Sequence, residues 1–124
     1  PTKHMGRCPW WCIHYSILII WDRHTIFING DARPSIQLYQ DLKSYTDHLD
    51  ILISPFPCMG LRSARKNLSS IFLPRQIFLV HIPDPKEDID HWTASAKQLC
   101  IRSKDSLPDP IFCENLGNSY YLEL

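Results

Sequence analysis

Two side chains in this sequence of 124 residues stand where they could hold a metal ion. Asp31 follows an apolar run and an Asn-Gly break in "TIFINGDARP", and His81 closes the apolar run of "QIFLVHI". A carboxylate and an imidazole brought to one edge of a sheet suit zinc, iron or manganese. Taken singly, each has a plainer use. Asp31 can accept hydrogen bonds from the backbone amides of its own turn, and His81 can sit as a hydrogen-bonded imidazole in a core. The choice depends on whether the strands that lead into them run side by side.

Other polar residues invite the same comparison. Asp50 opens the apolar run "LDILIS" and reads as a cap at a strand entrance. In "DIDHW", Asp88 and His91 share a helical face at i,i+3, either as a solvated helix start or as a metal or substrate contact. Arg62, Arg65 and Lys66 in "LRSARK" read as a solvated helix face, with a phosphate or RNA contact as the other use. Trp10 and Trp11 read as a plug on the sheet or a partner contact. The five cysteines are odd in number and scattered, unlike a disulfide framework. Cys58, Cys100 and Cys113 lie in apolar surroundings and read as buried free thiols. Cys8 and Cys12 have no second Cys/His pair at zinc-finger spacing.

The elements that must position Asp31 and His81 follow from hydrophobic pattern. "CIHYSILIIW" (12–21) is short, β-branched and aromatic, and reads as a buried strand. "DRH" is a break of hairpin length, and "TIFI" (25–28) resumes antiparallel to the first run. Ser35 can cap a helix whose apolar face is Ile36, Leu38, Tyr39 and Leu42. "LDILIS" (49–54) and "QIFLVHI" (76–82) are two further strands. Between them lie a proline-punctuated loop, "PFPCMG", and a basic helix with Leu61, Ala64 and Leu68 inward. A helix carrying Ile89, Trp92, Ala96 and Leu99 follows, and "PIFCENLGNSYYLEL" closes as a second hairpin. The order β-β-α-β-α-β-α-β-β implies an α/β layered fold with a mixed sheet. Polar residues at strand ends, here Asp31, Ser54 and His81, are where such sheets gather ligands.

Size and composition fit one α/β domain over residues 13–124 after a loose segment 1–12. The chain lacks an initiator Met, as a processed or excised form would. Thirteen basic residues balance thirteen acidic ones, so net charge gives no argument for nucleic acid or an anionic membrane. Ten prolines argue against a helical bundle. No apolar run approaches the roughly 20 residues of a membrane span, and the N-terminus lacks a secretory leader pattern. A soluble, intracellular protein is the expectation.

Taken in order, "YSILIIWDRHTIFINGDARP", "LDILISPFP" and "IFLPRQIFLVHIPDP" resemble the C-terminal half of a metallo-β-lactamase-fold hydrolase. "GDARP" is similar to the "GDTRP" of the ribonuclease Z branch, and the "MGLRSARKNL" helix suits the family too. The resemblance covers roughly residues 13–100. It implies half of an αββα sandwich, Asp31 as a carboxylate bridging two metal ions, and His81 as a terminal histidine ligand. The implied cofactor is zinc or another divalent transition metal, and the implied substrate is a small molecule or a phosphodiester. The family's HxHxDH motif is absent, and His4 and His14 do not make it. Two donors do not retain a metal well, because affinity rests on several deprotonated ligands held together. The chain is therefore expected to need a partner chain or a further N-terminal half, or to serve as a non-catalytic module or degenerate fragment of that fold. "GDAR", "LDILISPFP" and "IFLVHIP" also resemble later strands of a methyltransferase that uses S-adenosylmethionine. None of the four glycines builds the loop that cofactor requires.

Overall fold

A computed structural model describes residues 15–30, 35–59, 61–103, 105–115 and 117–124. Nine elements follow in chain order: β1 (Ile17–Trp21), β2 (His24–Ile28), α1 (Ile36–Lys43), β3 (Ile51–Pro55), α2 (Phe56–Met59), α3 (Arg62–Ser69), β4 (Gln76–Val80), α4 (Trp92–Arg102) and β5 (Ile111–Phe112). The strands form one sheet in the order β1-β2-β3-β4-β5. The β1–β2 pair is antiparallel, and each later pair is parallel. The α/β layered fold with a mixed sheet expected from the sequence is what the chain adopts.

Each parallel step needs a crossover, and the helices supply them. In α1 the Ser35 hydroxyl accepts a hydrogen bond from the Leu38 amide at 3.3 Å, which satisfies one of the orphan donors of the first turn. Tyr39 and Leu42 are buried one helical turn apart. The two-residue turn between β1 and β2 carries positive φ at both Asp22 and Arg23, the backbone that a tight hairpin requires.

The register sorts the sheet into two faces. Leu18, Phe27, Leu52 and Ile77 lie in one row across β1 to β4. Phe27, Leu52, Ile77 and Leu79 form a single core with Tyr39, Leu42, Met59, Ala64, Leu68 and Ala96 from the helices. The opposite face carries the row Ile17, Ile28, Ile53, Phe78 and Ile111, beside the row Ile19, Ile26, Ile51 and Gln76. Here the C-terminal segment lies over β4. Tyr120 meets Phe78 edge-on at 5.9 Å. Gln76 donates to the Tyr121 carbonyl at 3.3 Å and accepts from the Glu123 amide at 2.8 Å. Towards β1 the same face is open: Ile17 is 54% exposed and Trp21 67%.

Several expectations need correction. The first strand is an exposed edge rather than a buried strand, with Leu18 alone half-buried among its five residues. The expected C-terminal hairpin does not form. Ile111 and Phe112 pair parallel to β4, and residues 118–124 cross the sheet through side-chain contacts instead of a strand ladder. "PFPCMG" is not all loop: α2 occupies Phe56–Met59, with Phe56 and Met59 buried, and a proline is tolerated in a first helical turn. Leu61 is 45% exposed rather than inward. In α4 the buried side chains are Ala96 and Cys100, whereas Ile89 and Trp92 face solvent. No helix among the described residues is long and apolar enough to cross a membrane.

Asp50 ties the amino ends of three strands. Its amide donates to the Thr25 carbonyl at 3.0 Å, and its own carbonyl accepts from the Arg75 and Gln76 amides at 2.8 and 3.2 Å. Its carboxylate accepts from the Thr25 amide at 2.8 Å and the Thr25 hydroxyl at 3.3 Å. Asp50→Ala leaves the buried Thr25 amide without an acceptor and is expected to destabilise the fold by about 1–3 kcal/mol in urea unfolding. Asp50→Asn, which keeps one acceptor oxygen, is expected to cost less.

Candidate functional site

At the carboxyl ends of the parallel strands, polar groups gather as the strand-end rule anticipates. His81 follows the last residue of β4 directly, is exposed, and takes a left-handed backbone with φ 61°. The sequence reading carried this strand through residue 82, but the ladder stops at Val80 and the chain turns at His81. A histidine at positive φ is uncommon and is held there by its surroundings. Asp31 itself lies outside the described residues. The chain leads towards it from Ile28, the end of β2, through Asn29 and Gly30. β2 and β4 are parallel and separated by β3, so their ends sit about 10 Å apart, two inter-strand spacings.

The approach to Asp31 is firmly built. The buried Asn29 donates its amide to the Ile53 carbonyl at 2.8 Å. Its side-chain oxygen accepts from the Ser16 hydroxyl at 3.1 Å, and its side-chain nitrogen lies 3.5 Å from Ser54 Oγ. The Gly30 amide donates to Ser16 Oγ at 3.1 Å. A Cβ at Gly30 would overlap the Tyr15 carbonyl oxygen, so the close approach of two backbones accounts for the glycine. Ser16 and Asn29 were not singled out in the sequence reading. Both look like ordinary hairpin residues there, because what joins them is a register of the β1–β2 pair rather than a local motif.

Among the described residues, no group of three or more His, Cys, Asp or Glu side chains could hold a metal ion. His4, His14, Cys8, Cys12, Trp10 and Trp11 lie outside the described residues. Asp88 is a helix cap: its carboxylate accepts from the Trp92 and Thr93 amides at 2.8 and 3.1 Å. Desolvation works against its charge, but those two hydrogen bonds outweigh it and hold its pKa below the usual value. This is the solvated helix start that the "DIDHW" pattern suggests, with His91 beside it at φ 55°. A groove of about 420 Å³ between α3 and α4 is lined by Arg62, Ala94, Ser95, Gln98, Leu99 and Arg102, and His81 is not among its lining residues.

The basic stretch of α3 is split by the fold. Arg65 is not on a solvated face; it is 2% exposed. Its guanidinium forks onto Asp105, donating from Nε at 2.8 Å and Nη2 at 2.9 Å, while Nη1 lies 3.4 Å from Cys100 Sγ. Asp105 also accepts from the Leu107 amide at 3.2 Å. The Arg65 hydrogen bond is the main reason the Asp105 carboxyl is held below its ordinary pKa. Burial pushes the Cys100 thiol up, against the nearby guanidinium. Cys100 is a buried free thiol as expected, and Cys113 is a half-buried one. The side chain of Cys58 lies outside the described set.

Comparison with protein-family models, with curated proteins and with solved structures finds no match to this chain.

Arg65→Ala is expected to destabilise the protein by about 3–5 kcal/mol, because it strands a carboxylate that was paired in the interior. The pair also sets an acid limit. A carboxyl with a depressed folded pKa stabilises above its unfolded value near ~3.9, and that contribution is lost as pH falls through the folded value. Thermal unfolding from pH 6 to pH 2 checks this: Asp105→Asn is expected to lose part of the acid-side slope.

Proposed function

We propose that this chain is the α/β half of a metallo-β-lactamase-type hydrolase, catalytically incomplete by itself. Asp31 and His81 would contribute two metal ligands, and the remaining donors would come from another segment or a partner chain. The observation that supports the reading is the shared edge: His81 follows β4, and the chain reaches Asp31 just past the end of β2, with the parallel β3 between. A metal held by side chains from these positions needs ligand bonds of about 2 Å and side chains reaching inward from both sides of β3. The rigid Ser16–Asn29–Ser54 network would fix one approach, as positioning of a ligand requires. Zinc, iron or manganese would lower the pKa of bound water and make a nucleophile near neutral pH. An ester, amide or phosphodiester would be the class attacked.

The open face of the sheet agrees with this reading. A parallel sheet is usually covered on both faces, and here, among the described residues, the helices pack on one face and the β1 end of the other is exposed at Ile17 and Ile19. A half-sandwich presents such a face to its other half. The same face also favours a second reading, a non-catalytic module that docks there, in which Asp31 and His81 have no metal role.

Metal analysis of the natural protein, purified without chelators, separates the two. The hydrolase reading expects zinc, iron or manganese in near-stoichiometric amount, with a clear loss in Asp31→Ala and in His81→Ala. No metal above trace in the intact protein sinks it.

A further inference from the structure

At the opposite end of the sheet from His81, His48 bridges two segments through both nitrogens of its ring. Nδ1 lies 2.8 Å from Asp47 Oδ1, and Nε2 lies 2.8 Å from the Arg23 carbonyl oxygen. Both partners can only accept. A neutral imidazole has one N–H and one lone pair, so it can satisfy one of these contacts and must set a lone pair against oxygen in the other. An imidazolium donates to both. We propose that His48 is a pH-operated latch: in its protonated form it ties the turn of the β1–β2 hairpin to the loop entering β3, and on deprotonation, when it can satisfy one of its two contacts but not both, that tie weakens.

The surroundings favour the charged form. The Asp50 carboxylate lies 3.5 Å from His48 Nε2. The hydrogen bond that His48 donates to Asp47 is the largest influence that raises the His48 pKa, followed by the one to the Arg23 carbonyl; desolvation opposes them and is outweighed. The same contact with His48 lowers the pKa of Asp47. Other titratable and charged groups face the cluster as well. The His24 ring lies 3.9 Å from Asp50 Oδ2, Arg75 Nε lies 3.7 Å from Asp50 Oδ1, and Lys43 donates to the Asp47 carbonyl at 2.9 Å. Asp22 and the Arg23 side chain are exposed on the turn itself. Asp50 is thus shared among His48, His24 and Arg75, whereas the Asp47 and Arg23 contacts belong to His48.

The sign follows from a raised folded pKa. The latch is fully closed below the unfolded histidine value of about 6.5, and it is lost as pH rises through the folded value. The segment it holds is the edge hairpin, whose outer strand exposes Ile17, Ile19, Ile20 and Trp21. Opening therefore loosens the turn that holds this edge hairpin in a pH-dependent way.

Histidine-resolved NMR titration of the 124-residue chain, with amide exchange measured at residues 17–28, tests the latch. The His48 midpoint is expected above the ordinary value and lower in Asp47→Asn. Hairpin opening, corrected for the intrinsic pH dependence of exchange, is expected to rise across that midpoint. The rise is about tenfold for each unit by which the midpoint exceeds the open-state value. In His48→Gln the step is expected to vanish. A His48 midpoint at or below the ordinary value overturns the proposal. So does the same step persisting in His48→Gln, which would assign it to His24. Should His48→Gln fail to fold, the wild-type midpoint and its Asp47→Asn shift still decide the matter.

Discussion

The arrangement of this sheet depends on one buried carboxylate. Asp50 sits at the entrance to β3 and reaches sideways in both directions: to the backbone of β2 through Thr25, and to the backbone before β4 through its own carbonyl. A parallel ladder has no hairpin to fix its register. A one-residue slip would turn every inward side chain outward. By bonding Thr25 on one side and Arg75 and Gln76 on the other, Asp50 sets where β2, β3 and β4 begin relative to one another. The row Phe27, Leu52 and Ile77 faces the helices because of that setting. The offset between the end of β2 and the end of β4, on which any joint role for Asp31 and His81 depends, follows from it too.

The two ends of the sheet divide the work. The amino end is held by charge: Asp50 with Arg75, His24 and His48 around it. The carboxyl end is held by neutral hydrogen bonds among Ser16, Asn29 and Ser54.

Local features were legible in the sequence. Strands β2 to β4 follow from β-branched apolar runs, the first hairpin from the three-residue break "DRH", and α1 from Ser35 and its apolar spacing. Asp50 was legible as a strand-entry cap, though not as a shared one. What could not be read depended on distant partners. Arg65 was assigned to solvent because its neighbours in the helix are basic and polar, and its partner Asp105 lies 40 residues on. β1 reads as buried because a short β-branched and aromatic run has the same composition in a central strand and in an edge strand. The C-terminal run had strand composition, but Tyr120 and Gln76 hold it across the sheet by side chains rather than alongside it. The candidate site was legible as two residue types at two strand ends, and the Ser16–Asn29 support was not, since it exists only once β1 and β2 have paired.

The sheet's two faces carry unequal obligations. The helix-facing side closes a continuous core from Phe27 to Ala96. The far side is apolar over as many strands; among the described residues its β4 portion is covered by Tyr120 and the backbone of Tyr121 and Glu123, Ile51 is buried, and the β1 end is exposed. Burial of apolar surface contributes about 25 cal/mol per Å², so the exposed Ile17 and Ile19 forgo stabilisation that a cover would provide. A sequence that places Ile17, Ile19, Ile26, Ile28 and Ile53 on that face, where a solvated antiparallel ribbon would alternate with polar residues, is specified for contact there. On the half-sandwich proposal, the sheet that covered this face would also bring its own strand ends to the edge that His81 occupies.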